Sequence, residues 1–189
     1  KNILISTDSE KIKKVVNLLN IEIPFTRPEK LSDDYIGINE VLYHALDWYE
    51  ANINRVEFVI LVYPTSVLLK HEDILNAYDK LRKESLSDQI LSVTNFPFPI
   101  ERAVIKDKNG FMKMIYPENY NKRSQDFIET FHDAGQFSIY RSDALRKRKE
   151  FNESKVIMHL LDRENAVDID NIEDFKIAEK RLMYREYFD

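Results

Sequence analysis

The sequence predicts an α/β fold: a doubly wound, mainly parallel sheet flanked by helices, with a β-hairpin protruding from it. Three observations carry this expectation. Short apolar runs alternate with segments of helical period, in the order strand, helix, strand-like loop, helix, strand, helix, strand, which is how βαβ units are built. Val56–Tyr63 (V-E-F-V-I-L-V-Y) is apolar on both faces, as a parallel strand covered by helices tends to be. Asn109-Gly110 stands between two extended runs, a strong hairpin signal.

The elements follow in order. Asn2–Ser6 is a short apolar run suited to a buried strand. Ser9 or Asp8 can then cap a helix with Ile12, Val15, Val16, Leu18 and Leu19 on one face. Ile21–Phe25 is extended and ends at Arg27-Pro28, where the proline disfavours helix at Arg27. Ser32-Asp33-Asp34 leads to a helix bearing Val41, Leu42, Ala45, Leu46 and Trp48, which ends before Arg55. Val56–Tyr63 is expected to be the central strand, with Pro64-Thr65-Ser66 at its carboxyl end. A helix from about Glu72 to Glu84 carries Ile74, Leu75, Tyr78 and Leu81, and Gln89–Thr94 is a further buried strand.

Phe96-Pro97-Phe98-Pro99 breaks the alternation. Ala103–Ile105 and Phe111–Tyr116 then flank Asp107-Lys108-Asn109-Gly110 as a hairpin, and such an arm can make a dimer. A short helix is expected near Ser142–Lys149, and strands at Val156–Leu161 and Ala166–Ile169. A last helix from about Ile172 should turn Phe175, Ala178, Leu182 and Tyr184 inward.

Composition bounds the function. The 189 residues suit a single domain, 1–189, in which roughly 96–140 hold the inserted hairpin and a polar, ligand-binding segment. Hydrophobic residues at 43% and charged residues at 32% describe a soluble globular chain. A net charge of -5 with no clustered basic face argues against nucleic acid as a partner. The one basic run, Arg146-Lys147-Arg148-Lys149, reads as solvated surface. Without cysteine there is no disulfide framework and no thiolate chemistry. The longest apolar run, Phe58–Tyr63, is far short of the about 20 residues that cross a bilayer. With no signal peptide visible, a cytoplasmic address without membrane attachment is expected. Gly37, Gly110 and Gly135 cannot compose a GxGxxG or GxxxxGK loop. The sequence opens on Lys1 and goes straight into a strand, and it reads as though its beginning were removed.

In open parallel sheets, ligands bind beyond the carboxyl ends of the strands. Thr7-Asp8, Thr65-Ser66, Thr94-Asn95 and Asp168-Ile169-Asp170 fall at such places. Residues two apart on an extended backbone share a side, so Asp168 and Asp170 can converge on one hard cation such as Mg2+. Asp170 can equally serve as the cap of the terminal helix, and spacing alone leaves both open. Arg123-Ser124-Gln125-Asp126 and His132-Asp133-Ala134-Gly135-Gln136-Phe137 gather a guanidinium, amides, carboxylates, an imidazole and a glycine at a turn. They suit a polar ligand, or a solvated connection. The four histidines show no zinc spacing.

Taken in order, Ser6-Thr7-Asp8-Ser9, Arg27-Pro28 with Leu31–Asp34, Tyr63-Pro64-Thr65-Ser66, Arg123–Asp126, His132–Phe137 and Val167–Asp170 resemble the acylneuraminate cytidylyltransferases. This is the CMP-sialic acid synthetase family. Phe96–Ile100 with R-S-Q-D and H-D-A-G-Q-F is most similar to the pseudaminic acid branch. The resemblance implies a nucleotide-diphospho-sugar transferase-like fold lacking its first strand and phosphate-gripping loop, and a hairpin that makes a homodimer. It implies transfer of CMP from CTP to an acidic nine-carbon sugar, with pyrophosphate released. Asp168 and Asp170 would be catalytic and hold Mg2+. Arg27 would lie against the cytidine, with Asp8 and Asp34 on the nucleotide side. Tyr63, Thr65, Ser66, Arg123, Gln125, Asp133 and Gln136 would bind the sugar. The absent glycine-rich loop motivates an alternative, a non-catalytic binding or dimerisation relative, and an eight-carbon acid is a further candidate substrate. Asn171 stands where the family commonly has threonine.

Overall fold

Ser9 caps the first helix as its position suggests: its Oγ accepts from the Ile12 N–H at 3.4 Å, opening α1 (Glu10–Leu18). The computed structural model describes residues 3–21, 23–149 and 151–188, with side chains to Arg185. The parts of the expected extended runs that fall on Asn2 and Glu22 lie outside the described residues. The chain divides into two compact units. One draws on Lys1–Val59 and Tyr140–Glu153, the other on Ile60–Ile139 and Ser154–Asp189.

In the first unit the expected strand at 3–6 is irregular, as are residues 23–25. The backbone bond near them, from Arg27 N–H to Thr7 O (2.9 Å), is a single link and not a ladder. Only Val16 of the α1 stripe is buried; Ile12, Val15, Leu18 and Leu19 stay exposed. Helix α2 (Ile38–Asn52) buries Leu42, Tyr43 and Leu46. Phe25 packs on it through His44 and Trp48, at ring separations of 4.9 and 5.3 Å. Arg146, read as part of a solvated basic run, is instead built into the fold at the end of helix α4 (Ser142–Arg146). Its guanidinium pairs with Glu50 and donates to Val56 O at 2.8 Å. The hydrogen bond from Arg146 holds the Glu50 carboxyl below its usual range.

A four-stranded sheet holds the second unit, in the order β1 (Phe58–Val62), β5 (Phe131–Arg141), β2 (Gln89–Asn95), β6 (Val156–Leu160). The first residues of β1 and the last of β5 lie where the chain passes to or from the first unit. β2 and β6 are parallel, with Gln89 opposite Val156 and Val93 opposite Leu160. β5 runs against β1: Tyr63 N–H donates to Gln136 O, while Ser142 N–H, further along, donates back to Glu57 O. The sheet is therefore mixed. Val56–Tyr63 is not the central strand; β1 ends the order among the described strands, leaving Ile60 and Val62 44% and 46% exposed. Its apolar run cannot tell a strand covered on both faces from one covered in part. Helix α3 (His71–Lys83) packs on β2 and β6, burying Ala77 and Leu81.

The hairpin forms as expected, β3 (Val104–Lys106) against β4 (Met112–Met114). Asp107 Oδ1 accepts from the Asn109 and Phe111 N–H groups, and Gly110 takes φ +91°, a conformation glycine adopts without steric cost. Val104, Ile105, Phe111 and Met112 remain exposed on this arm.

The strand expected at 166–169 has no ladder. Its alternation survives nonetheless. Val167 and Ile169 pack with Leu68 and Ala178, while Asp168 and Asp170 are exposed. Among its described side chains, the final helix α5 (Ile172–Phe188) turns only Ala178 fully inward. Phe175, Leu182 and Tyr184, expected inside, are 51%, 41% and 65% exposed. Ala178 alone among them belongs to the Leu68–Val167 cluster, and a helical stripe marks only the face that could be buried.

Candidate functional site

Gly135 and Asp168 meet across 33 residues of sequence, and the second unit's site is built around that contact. Gly135 lies within β5 and not in a loop, at φ +61°. A Cβ placed on it would stand 2.9 Å from Asp168 Cγ and 3.0 and 3.1 Å from its carboxylate oxygens. Asp133 Oδ1 accepts from the Gly135 N–H at 2.9 Å, a local side-chain bond of the kind that supports a left-handed residue. His132 Nδ1 donates to Asp133 O at 2.7 Å.

Gln136, expected in a sugar pocket, is fully buried beneath this contact. Its Nε2 donates to Ala134 O and Val167 O, both at 3.0 Å, and lies 3.3 Å from Gly135 O. A buried side chain whose amide nitrogen faces three carbonyls braces the fold, while its Oε1 has no hydrogen-bond partner among the described residues. The Gln136 backbone carbonyl accepts from Tyr63 N–H at 3.1 Å and from Ser66 Oγ at 2.6 Å. Ser66, also assigned to the sugar, thus commits its hydroxyl hydrogen to the fold. Thr65 is half-buried in the same turn, where its carbonyl accepts from Val67 N–H.

The electrostatics agree with the geometry. The Asp168 carboxyl is raised above its ordinary range, first by burial of the carboxyl end, then by the charges of Asp170, Asp133 and Asp174. The residue as a whole is exposed, yet its carboxyl group lies within 3.1 Å of where a Gly135 Cβ would stand. Tyr63 is raised by burial and then by Asp133 and Asp168. Tyr63, Asp133, Asp168 and Asp170 therefore share one acidic locality.

Asp170 does not cap α5. Asn171 does: its Oδ1 accepts from the Glu173 and Asp174 N–H groups at 2.8 and 3.1 Å. Asp174 Oδ2 accepts in return from the Asn171 and Asp170 N–H groups at 3.1 and 3.2 Å, a reciprocal capping box. Among the described residues the Asp170 carboxylate has no hydrogen-bond or ion-pair partner, and its charge reaches Asp168. Asn171→Ala is expected to lower stability by about 1 kcal/mol, whereas Asp170→Ala should change it little. Thermal unfolding of the two variants checks this.

These groups suit a hard cation. Carboxylate oxygens crowd one place, and repulsion between them is visible at Asp168. Among the described residues no group of three or more histidine or acidic side chains is placed to hold a metal. One or two carboxylates are the usual protein share for Mg2+, completed by phosphate and water.

Arg123 and Gln125 are not joined to this cluster by any hydrogen bond or ion pair among the described residues. Arg123 is exposed and forms a fork with Asp126 of the same turn, at 3.0 and 2.9 Å, and Gln125 is exposed beside it. In the first unit, Arg27 Nε donates to Ser32 Oγ (3.1 Å) and Nη2 to Asp8 Oδ1 (3.2 Å). Asp8, Thr26, Arg27, Glu29, Ser32 and Asp33 line a cavity of about 460 Å³. Asp34 is exposed and outside that lining.

Sequence reasoning missed Gly135 as a packing partner and Asn171 as the cap. The signal for the first was a scarce glycine inside a polar run; for the second it was the N-x-x-D spacing.

The fold places the chain among nucleotide-diphospho-sugar transferase-like proteins. It matches the structure of a CMP:2-keto-3-deoxy-manno-octonic acid synthetase complexed with CTP, with a TM-score of 0.62, over 100% of this chain and 82% of that one at 11% identity. The Cytidylyltransferase family matches residues 1–186, and the chain belongs to that family: it is a nucleotidyltransferase. The pseudaminic acid cytidylyltransferase of Campylobacter jejuni subsp. jejuni serotype O:2 is 29% identical over 183 residues, covering 97% of this chain and 78% of that protein. The N-acylneuraminate cytidylyltransferase of Escherichia coli O18:K1:H7 is 24% identical over 179 residues, covering 94% of this chain and 41% of that protein. The expected family and α/β class hold. These likenesses give no support to a non-catalytic relative. No helix among the described residues is long and apolar enough to cross a membrane.

Proposed function

We propose that this chain transfers CMP from CTP to an acidic nine-carbon sugar of the pseudaminic type, releasing pyrophosphate, in the cytoplasm. The sugar's anomeric oxygen forms a bond to the α-phosphorus, the bond to the β-phosphate oxygen breaks, and the hydroxyl proton passes to solvent. The observation that carries this reading is the pairing of Asp168 with an Asp170 that α5 does not need as a cap. The names of the relatives supply the substrate class.

Asp168 and Asp170 would hold Mg2+ together with phosphate oxygens. When bound, Mg2+ supplies charge neutralisation at the phosphates, the dominant need of such chemistry. Arg27, steadied by Asp8 and Ser32, would meet the nucleotide as the family resemblance implies, with Asp34 also on the nucleotide side. Arg123 presents a planar fork already matched to one carboxylate, that of Asp126. A sugar carboxylate can take the same geometry, with Gln125 beside it. Tyr63 and Thr65 would complete the sugar side. The exposed apolar residues of the β3–β4 arm suit a homodimer contact.

The test is pyrophosphate release by the full-length protein with CTP, Mg2+ and a panel of pseudaminic acid, N-acetylneuraminic acid and an eight-carbon keto acid. Release with pseudaminic acid at the highest kcat/KM is expected. Turnover confined to another acid, or none with any, would overturn the proposal.

A further inference from the structure

We infer that Gly135 is a positioning residue for Asp168, and that Asp133 acts on that carboxylate through the Gly135 N–H instead of by binding sugar. The inference rests on the metal role given above to Asp168.

Position 135 needs glycine for two reasons. At φ +61° the backbone is left-handed, which side chains rarely tolerate. Space is the stronger one: all three atoms of the Asp168 carboxyl group lie within 3.1 Å of where a Cβ would stand. Backbone on one side and a carboxylate on the other leave no slack for a methyl group unless the carboxylate swings away.

Neither backbone can retreat, so the Asp168 carboxylate must give way. Gln136 Nε2 bridges Ala134 O on β5 to Val167 O beside Asp168, so one buried amide fixes the separation of the two strands of chain. Val167 and Ile169 are anchored in the Leu68–Ala178 cluster. Asp133 Oδ1 holds the Gly135 N–H at 2.9 Å and with it the left-handed turn. The H-D-A-G-Q run is thus a rest against which the Asp168 carboxylate is set.

The experiment is a Mn2+ titration of the full-length protein by water-proton relaxation, with steady-state kinetics alongside. Gly135→Ala is expected to weaken Mn2+ binding by about tenfold or more, the scale of lost outer-shell support, and to lower kcat with KM for CTP within about twofold. Asp133→Ala should weaken Mn2+ binding in the same direction. Asp133→Asn should restore it, because an amide oxygen accepts the Gly135 N–H as the carboxylate does. Mn2+ affinity within twofold of the parent in folded Gly135→Ala, while Asp168→Asn abolishes binding, would overturn the inference. So would Asp133→Asn binding no better than Asp133→Ala, since Asp133 would then act by its charge. Should Gly135→Ala fail to fold by circular dichroism, the Asp133 pair decides. Unchanged Mn2+ binding in Asp168→Asn would instead remove the metal reading itself.

Discussion

Asp168→Asn is expected to melt slightly higher than the parent in metal-free buffer while losing about 10²–10³-fold in turnover, the range seen when one preorganised electrostatic group is removed. The stability sign follows from linkage. Burial and the charges of Asp170 and Asp133 raise the folded carboxyl above its unfolded value, so the folded state holds its proton more tightly. Stability then falls as pH rises from the ordinary carboxylate range through the raised value. Asparagine keeps the shape and abolishes that fall. Asp168 is largely open to solvent, which screens the effect, so a rise of about 1–2 °C is expected at neutral pH. It should vanish at acid pH, where the aspartate is protonated in both states. Differential scanning calorimetry across pH, with pyrophosphate release followed at neutral pH, makes the comparison. A lower melting point at neutral pH would contradict the electrostatic account. Unchanged turnover would remove Asp168 from the chemistry.

Gln136→Ala is expected to cost stability by about 2–4 kcal/mol, the largest loss foreseen for a polar residue here. The side chain is fully buried, and its removal strands the Ala134 and Val167 carbonyls and leaves a cavity. Its Oε1 has no hydrogen-bond partner among the described residues, so the lower half of the range is expected. Urea unfolding followed by tryptophan fluorescence and circular dichroism measures the change. A variant of parental stability with a raised KM for the sugar would return Gln136 to the binding pocket that the family resemblance implied.

The contrast between these two residues shows what a sequence conveys. Asp168 and Asp170 were legible as a pair because period-two alternation needs nothing beyond their spacing. It held at 166–170 even without a strand ladder, since Val167 and Ile169 still had a core to enter. Gln136 looked like its polar neighbours. Only the position of β5 over the 165–170 segment turned it from a surface amide into a buried brace.

The sequence by itself determined the local and the ordered: the Ser9 cap, the Asp107–Gly110 turn, the run of helices and strands, and the motif order that reveals a cytidylyltransferase. These depend on near neighbours in the chain, where backbone sterics and side-chain hydrogen bonds act over a few residues. The tertiary structure decided what meets what. It set β1 at the end of the sheet order, left Phe175 and Leu182 open, gave the α5 cap to Asn171, and brought Gly135 against Asp168. Those outcomes turn on excluded volume and desolvation between segments far apart in sequence, for which no local pattern is a sufficient cause.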